Sequence, residues 1–157
     1  MLTRWAPSLL FYETGVSAVK VSRTRIVARY NETDKMGVVH HSQYLIWFEI
    51  ARTDWTKLLG LTYRQIETSG LMMPVIGVEA HYHAPARYDD AVIVETSVQA
   101  YDSIKMSFHY QVTRESDGKL LADGVTSHCW TNSHMRPVSL RKENPKLHQS
   151  IVRAIGR

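Results

Sequence analysis

At 157 residues and a net charge of +4, the chain fits one domain whose core needs neither disulfides nor a structural metal. Its single cysteine, Cys129, has no partner within the chain, which favours a reducing compartment, and no apolar run approaches the roughly 18 residues of a membrane span. Leu9-Leu10-Phe11 is too short for a signal-peptide core and is followed by Glu13, so a cytoplasmic protein with no integral membrane association is expected.

Residues 1–20 mix Trp5, Pro7 and Gly15 without a sustained period and read as an N-terminal extension to a single domain over 21–157. From Arg23 to Tyr30, Ile26, Ala28 and Tyr30 alternate with Arg25, Val27 and Arg29, which predicts a strand with one apolar and one basic face. A turn follows at Asp34-Lys35-Met36-Gly37. From Ser42 to Leu59 the residues Tyr44, Trp47, Phe48, Ala51, Trp55, Leu58 and Leu59 recur at spacings of three and four, the mark of a helix. Ile46 and Ile50 widen that stripe, which predicts burial on more than one side. Ser42 fits an N-cap and Gly60 a C-terminal cap.

Thr62-Tyr63-Arg64-Gln65 has the pattern of a capping box and predicts a short second helix closed by Gly70. The period then changes to two. Strands are expected over Met72–Ala84, bent near Pro74 or Gly77, over Ala91–Ala100, over Ile104–Thr113 and, after a hairpin at Asp117-Gly118, over Lys119–Thr131. Asn144 to Ile155 reads as a terminal helix. One strand, a long apolar helix, a short helix and four strands on short turns imply an α+β architecture, with one antiparallel sheet of about five strands wrapped around the central helix. A single sheet over a single helix leaves edges open, so a homodimer at least is expected. No appended helix pair of the DNA-binding kind is visible, and no nucleic-acid partner is expected.

Asp34 is the first candidate for chemistry. Its carboxylate either caps local N–H groups in an Asx turn or faces a ligand, and the two roles are compatible. Gly37 permits close backbone approach, Val38-Val39 offers an apolar wall, and the helix begins seven or eight residues beyond Asp34. A carboxylate beside a helix N-terminus suits acyl transfer, because the free N–H groups there favour an oxygen that is becoming negative. His41 falls in that first turn, and its neighbour His40 reads as the exposed or partly packed member of the pair. Tyr44 either lines a pocket or packs in the core, and Met36 is a further candidate contact. His81, His83, His109, His128 and His134 lie in strand-like segments without zinc-site spacing, so no metal is expected, and Cys129 reads as a small buried hydrophobe.

The stretch Y-x-E-T-D-x-M-G-V-V-x-H-x-x-Y over 30–44, then W-F-E-x-A-R over 47–52 and P-A-R-Y-D-D over 85–90, resembles the hotdog-fold acyl-CoA thioesterases. It is most similar to the 4-hydroxybenzoyl-CoA thioesterase-like group that includes the Tol-Pal-associated enzyme. The resemblance spans about residues 22–135. It implies that Asp34 is the catalytic carboxylate, acting as nucleophile or as base for water, and that the His41 N–H polarises the thioester carbonyl. It also implies a homodimer or homotetramer with sites at the subunit boundary, coenzyme A as part of the substrate, and no other cofactor. His40 departs from relatives that carry an aromatic residue there, which bears on the acyl group accepted.

Glu49 is weighed as well, since some hotdog thioesterases use a glutamate on the central helix, but an ion pair with Arg52 or Arg25 is the plainer reading. Arg136, Arg141, Lys142 and Lys146 form the one loose basic cluster, either a solvated face or a dock for the phosphates of coenzyme A. Two other functions compete with hydrolysis. A hotdog dehydratase is disfavoured because the loop carries Asp34 and no proline, while a non-catalytic acyl-CoA or acyl-carrier-binding protein would hold the ligand without turning it over.

Overall fold

In this computed structural model residues 19–157 are described, so nearly all of the N-terminal extension lies outside the described residues. Five strands form the main sheet: β1 (Ser22–Val27), β3 (Val75–Tyr82), β4 (Ala91–Tyr101), β5 (Lys105–Arg114) and β6 (Leu120–Cys129). They are antiparallel throughout, in the order β1-β4-β5-β6-β3, so β1 and β3 are the edges. A small second sheet pairs β2 (Leu71–Met72) with β7 (Thr131–Asn132). The helices are α1 (Gln43–Lys57), α2 (Tyr63–Thr68), α3 (Leu140–Glu143) and α4 (Pro145–Ala154).

The sheet closes over α1 because the two periodicities meet. Trp47, Phe48, Ala51 and Trp55 on the helix, and Val92, Val94, Phe108, Tyr110 and Val112 at alternating strand positions, are all fully buried. Phe48 stacks on Tyr110 at a centroid distance of 4.4 Å, and Trp55 meets Phe108 edge-on at 5.4 Å. This is the wrapped α+β hotdog arrangement. Gly124 of β6 lets the layers approach this closely: a Cβ there would stand 2.6 Å from the Glu79 carbonyl oxygen and 2.7 Å from the Phe48 ring.

Several boundaries differ from the sequence reading. The first strand ends at Val27, and Tyr30 is an exposed member of a short 3-10 turn over Tyr30–Glu32. The strand expected over Met72–Ala84 is two strands, interrupted at Met73-Pro74, because proline has no N–H to give the ladder. Thr62 and Gln65 do form the capping box, and Asn144 caps α4 by accepting the Leu147 N–H. Ser42 does not cap α1; its hydroxyl is engaged by His40 Nδ1 at 2.8 Å instead. Ile46 and Ile50 are exposed, so within one chain α1 buries a single face.

One strip of the interior is polar. His128 is buried, with Nε2 2.7 Å from the Thr126 hydroxyl, which in turn bonds the Tyr110 hydroxyl at 2.7 Å. Arg52 Nη1 lies 3.1 and 3.2 Å from the two ring nitrogens of His128, a position over the ring face. Burial, then the Arg52 charge, pushes the His128 imidazole down from 6.5 to about 4, so the ring is neutral at neutral pH.

Two outcomes follow from this packing. Gly124→Ala is expected to lower unfolding free energy by about 1–3 kcal/mol in chemical denaturation; Gly77→Ala, whose Cβ would meet only Ser127 at 3.7 Å, is the milder comparison. The unfolded chain takes up a proton that folded His128 refuses, so this contribution is intact above about pH 6.5 and is lost as pH falls toward 4. His128→Gln is expected to flatten stability against pH across that window, and an unchanged slope would count against this account.

Candidate active site

The segment between β1 and α1 folds back on itself. Thr33 and Val39 form an antiparallel bridge, the Asp34 N–H donates to the Val38 carbonyl at 2.9 Å, and the Gly37 N–H donates to the Asp34 carbonyl at 2.9 Å. Gly37 has φ +74°, a left-handed conformation that glycine adopts without strain. The Asp34 carboxylate accepts the Met36 N–H at 2.8 Å, so the Asx turn is present. The Val39 N–H, donating to the Ala86 carbonyl at 2.8 Å, ties the segment to the loop after β3.

Glu32, which the sequence reading did not single out, ties this segment to the helix. It is only 3% exposed. Its carboxylate accepts the Arg29 N–H at 2.7 Å, the Arg29 guanidinium at 3.0 Å and Trp47 Nε1 of α1 at 3.4 Å. Its carbonyl accepts the His40 N–H at 2.9 Å. Both ends of the turn that carries Asp34 are thereby held against the first turns of α1.

Asp34, Met36, Val38, His41 and Tyr44 line one cleft of about 320 Å³, whose far wall is Tyr82, His83, Ala84 and Pro85. His41 does not fall in the first turn of α1 as expected but stands just before the Ser42 N-cap position, and among the described residues its N–H has no acceptor. The His41 carbonyl is held by the Tyr82 hydroxyl at 3.0 Å, and the His41 ring is exposed, 4.1 Å from that of His40. His40 is the more buried of the two. Tyr44 is buried but accepts the Ala86 N–H at 3.2 Å, so it serves both core and cleft. Gly37 stands at the turn apex facing Arg87, outside the cleft lining, and its N–H is already committed to Asp34.

His83 is a further cleft residue whose role the sequence did not suggest. Its Nε2 is hydrogen-bonded to the Asp123 carboxylate, which also holds His81 Nδ1 at 3.3 Å. These hydrogen bonds lower the Asp123 carboxyl below its usual range, that from His83 most. The strand-like pattern covers His81 and His83 but does not supply Asp123, which comes from β6. Among the described residues no group of three or more His, Cys, Asp or Glu is arranged to hold a metal ion. Glu49 makes neither expected ion pair: Arg25 bonds Glu115 through two nitrogens at 2.9 Å, and Arg52 stands over His128. Arg136, Arg141, Lys142 and Lys146 are exposed, and none lines the cleft.

Residues 28–154 match the family described as the Thioesterase-like superfamily. The chain belongs to that superfamily. Its match extends beyond the motif-bearing segment to α4. The superfamily member is 33% identical to YneP of Bacillus subtilis over 135 residues, 85% of this chain and 97% of that one. It is 32% identical to the acyl-CoA thioesterase YbgC of Haemophilus influenzae, over 73% of this chain and 84% of that one. Among solved structures it is similar to a DHNA-CoA thioesterase of Staphylococcus aureus, with 34% identity, a TM-score of 0.81, and coverage of 84% and 89% of the two chains.

Glu32→Ala is expected to leave Trp47 Nε1 and the Arg29 N–H without an acceptor. A loss of about 1–3 kcal/mol in unfolding free energy should appear in denaturation, together with reduced turnover as the Asp34 turn loosens.

Proposed function

We propose that this thioesterase-superfamily protein hydrolyses acyl-CoA thioesters in the cleft between the Asp34 turn and the end of β3. The observation that supports the reading is that Asp34 and His41 line one cleft and that the His41 N–H has no acceptor among the described residues. The thioester carbonyl oxygen docks on the His41 N–H at the helix start, where the dipole favours the growing negative charge. Asp34 then acts in one of two ways. As nucleophile its oxygen bonds the carbonyl carbon, the C–S bond breaks, coenzyme A leaves as thiolate, and water cleaves the resulting anhydride. As base it takes a proton from the water that attacks the same carbon.

The products of either route are the free acid and coenzyme A, and no resident cofactor takes part. Met36, Val38 and Tyr44 contact the acyl group in this reading. The names of the Haemophilus and Staphylococcus relatives support an acyl-CoA substrate. No described helix is long and apolar enough to cross a membrane, in keeping with the cytoplasmic site of action proposed here.

The active form proposed is a homodimer, or a homotetramer built from it. Supporting this, β3 is an edge strand with one open side, and Val75, Ile76 and Val78 on it are exposed together with Leu45, Ile46 and Ile50 on α1. Exposed apolar surface continuous across two elements is the mark of an interaction face. A second copy there also lies along the strand that ends in Tyr82, one wall of the cleft.

Asp34→Asn preserves an oxygen for the Met36 N–H, so the turn is retained while the carboxylate chemistry is lost. Thiol release from a panel of aliphatic and aromatic acyl-CoAs is expected to fall about 10²-fold or more, with binding of the same substrates and thermal stability nearly unchanged. Wild-type turnover by this variant would overturn the assignment, and binding without turnover by the wild-type protein would point to a carrier-binding role.

A further inference from the structure

Arg52 is the only buried lysine or arginine among the described residues, at 8% exposure, and no carboxylate lies within ion-pairing distance of it. Its Nε is buried without an acceptor. The contact that the guanidinium does make, over His128, supplies no counter-charge because that ring is neutral. A cation withdrawn from water in this way is strongly disfavoured unless an anion reaches it.

The space for that anion exists. Arg52 lines a cleft of about 170 Å³ between α1 and the β3–β6 side of the sheet, with Ile46, Val75 and Val78 as aliphatic walls. Glu49 stands at the same cleft, exposed, and among the described residues its carboxylate has no hydrogen-bond or ion-pair partner. One helix face therefore carries an unpaired acid and an unpaired base three residues apart, surrounded by exposed aliphatic side chains.

We propose that Arg52 is the receiving half of an intersubunit ion pair whose acid is Glu49 of a second copy of this chain. The proposal rests on the homodimer reading and specifies what fixes its register. Three residues span about 4.5 Å along a helix. A two-fold axis crossing α1 midway between positions 49 and 52, beside exposed Ile50, sets each acid opposite the other copy's base and forms the pair twice. The same axis presents the two open β3 edges to each other in antiparallel fashion, the arrangement that extends the sheet across the interface. Polar pairs at a fixed place in an otherwise aliphatic contact specify register, since any slip leaves both charges buried and unmatched.

The test is sedimentation velocity over a concentration series on wild type, Glu49→Arg, Arg52→Glu and an equimolar mixture of the two variants. Each variant alone opposes like charges and is expected to dimerise at least about 100-fold more weakly, while the mixture forms a heterodimer of near wild-type affinity. Because Arg52→Glu alters a buried position, Glu49→Gln at its exposed site is run beside it. With unchanged circular dichroism, this variant is expected to dimerise about 10-fold more weakly.

Glu49→Arg dimerising within two-fold of wild type would overturn the ion pair while leaving the dimer intact. So would an intact dimer in which Glu49 substitution alters only KM, since the cleft would then be a substrate subsite. A wild-type protein that stays monomeric at every concentration would overturn the homodimer reading itself, a separate outcome.

Discussion

The buried carboxylate of Glu32 is the constraint on which the rest depends. The 31–42 segment has little apolar surface of its own, and the start of α1 lacks a side-chain cap, so neither has a strong local reason to hold one geometry. Glu32 supplies it by accepting hydrogen bonds from the chain before the turn and from Trp47 within α1, while its carbonyl receives the chain as it enters the helix. Charge-assisted bonds to a buried acceptor are strong when made and costly to leave unmade. The result is a frame in which Asp34 and His41 line one cleft, and the proposed chemistry requires such a fixed arrangement to stabilise charge without reorganisation.

Much of this was legible from residue spacing. The Trp47, Phe48, Ala51, Trp55 stripe and the alternation from Met106 to Val112 report burial against a neighbour, and that neighbour is the same core in both cases. The Asx turn at Asp34 and the capping box at Thr62 were readable because their partners lie two or three residues away. What escaped is non-local. The bond from Trp47 to Glu32 spans 15 residues, that from Tyr82 to His41 spans 41, and that between His83 and Asp123 spans 40. Ser42 looked like a cap because it precedes a helix, yet the neighbouring imidazole competes for its hydroxyl.

The exposed Ile46 and Ile50 show a different limit of periodicity. An apolar stripe records that a face leaves water, without recording whether the covering surface belongs to the same chain. Here α1 presents one face to its own sheet and another to solvent, and at the edge between them exposed Glu49 stands near the buried Arg52, which meets no carboxylate among the described residues. The helix therefore links three tasks. Its first turn supplies Tyr44 to the cleft proposed for the thioester, its middle fills the core, and its outer face bears the charges assigned to assembly.

The most direct measurement is a crystal structure of the protein bound to a ketone analogue of an acyl-CoA, in which a methylene group replaces the thioester sulfur and blocks cleavage. The account predicts the analogue's carbonyl oxygen about 3 Å from the His41 backbone nitrogen, with the carbonyl carbon facing the Asp34 carboxylate directly or through one water. A carbonyl bound away from both groups, with the cleft between Asp34 and Tyr82 left unfilled, would contradict it.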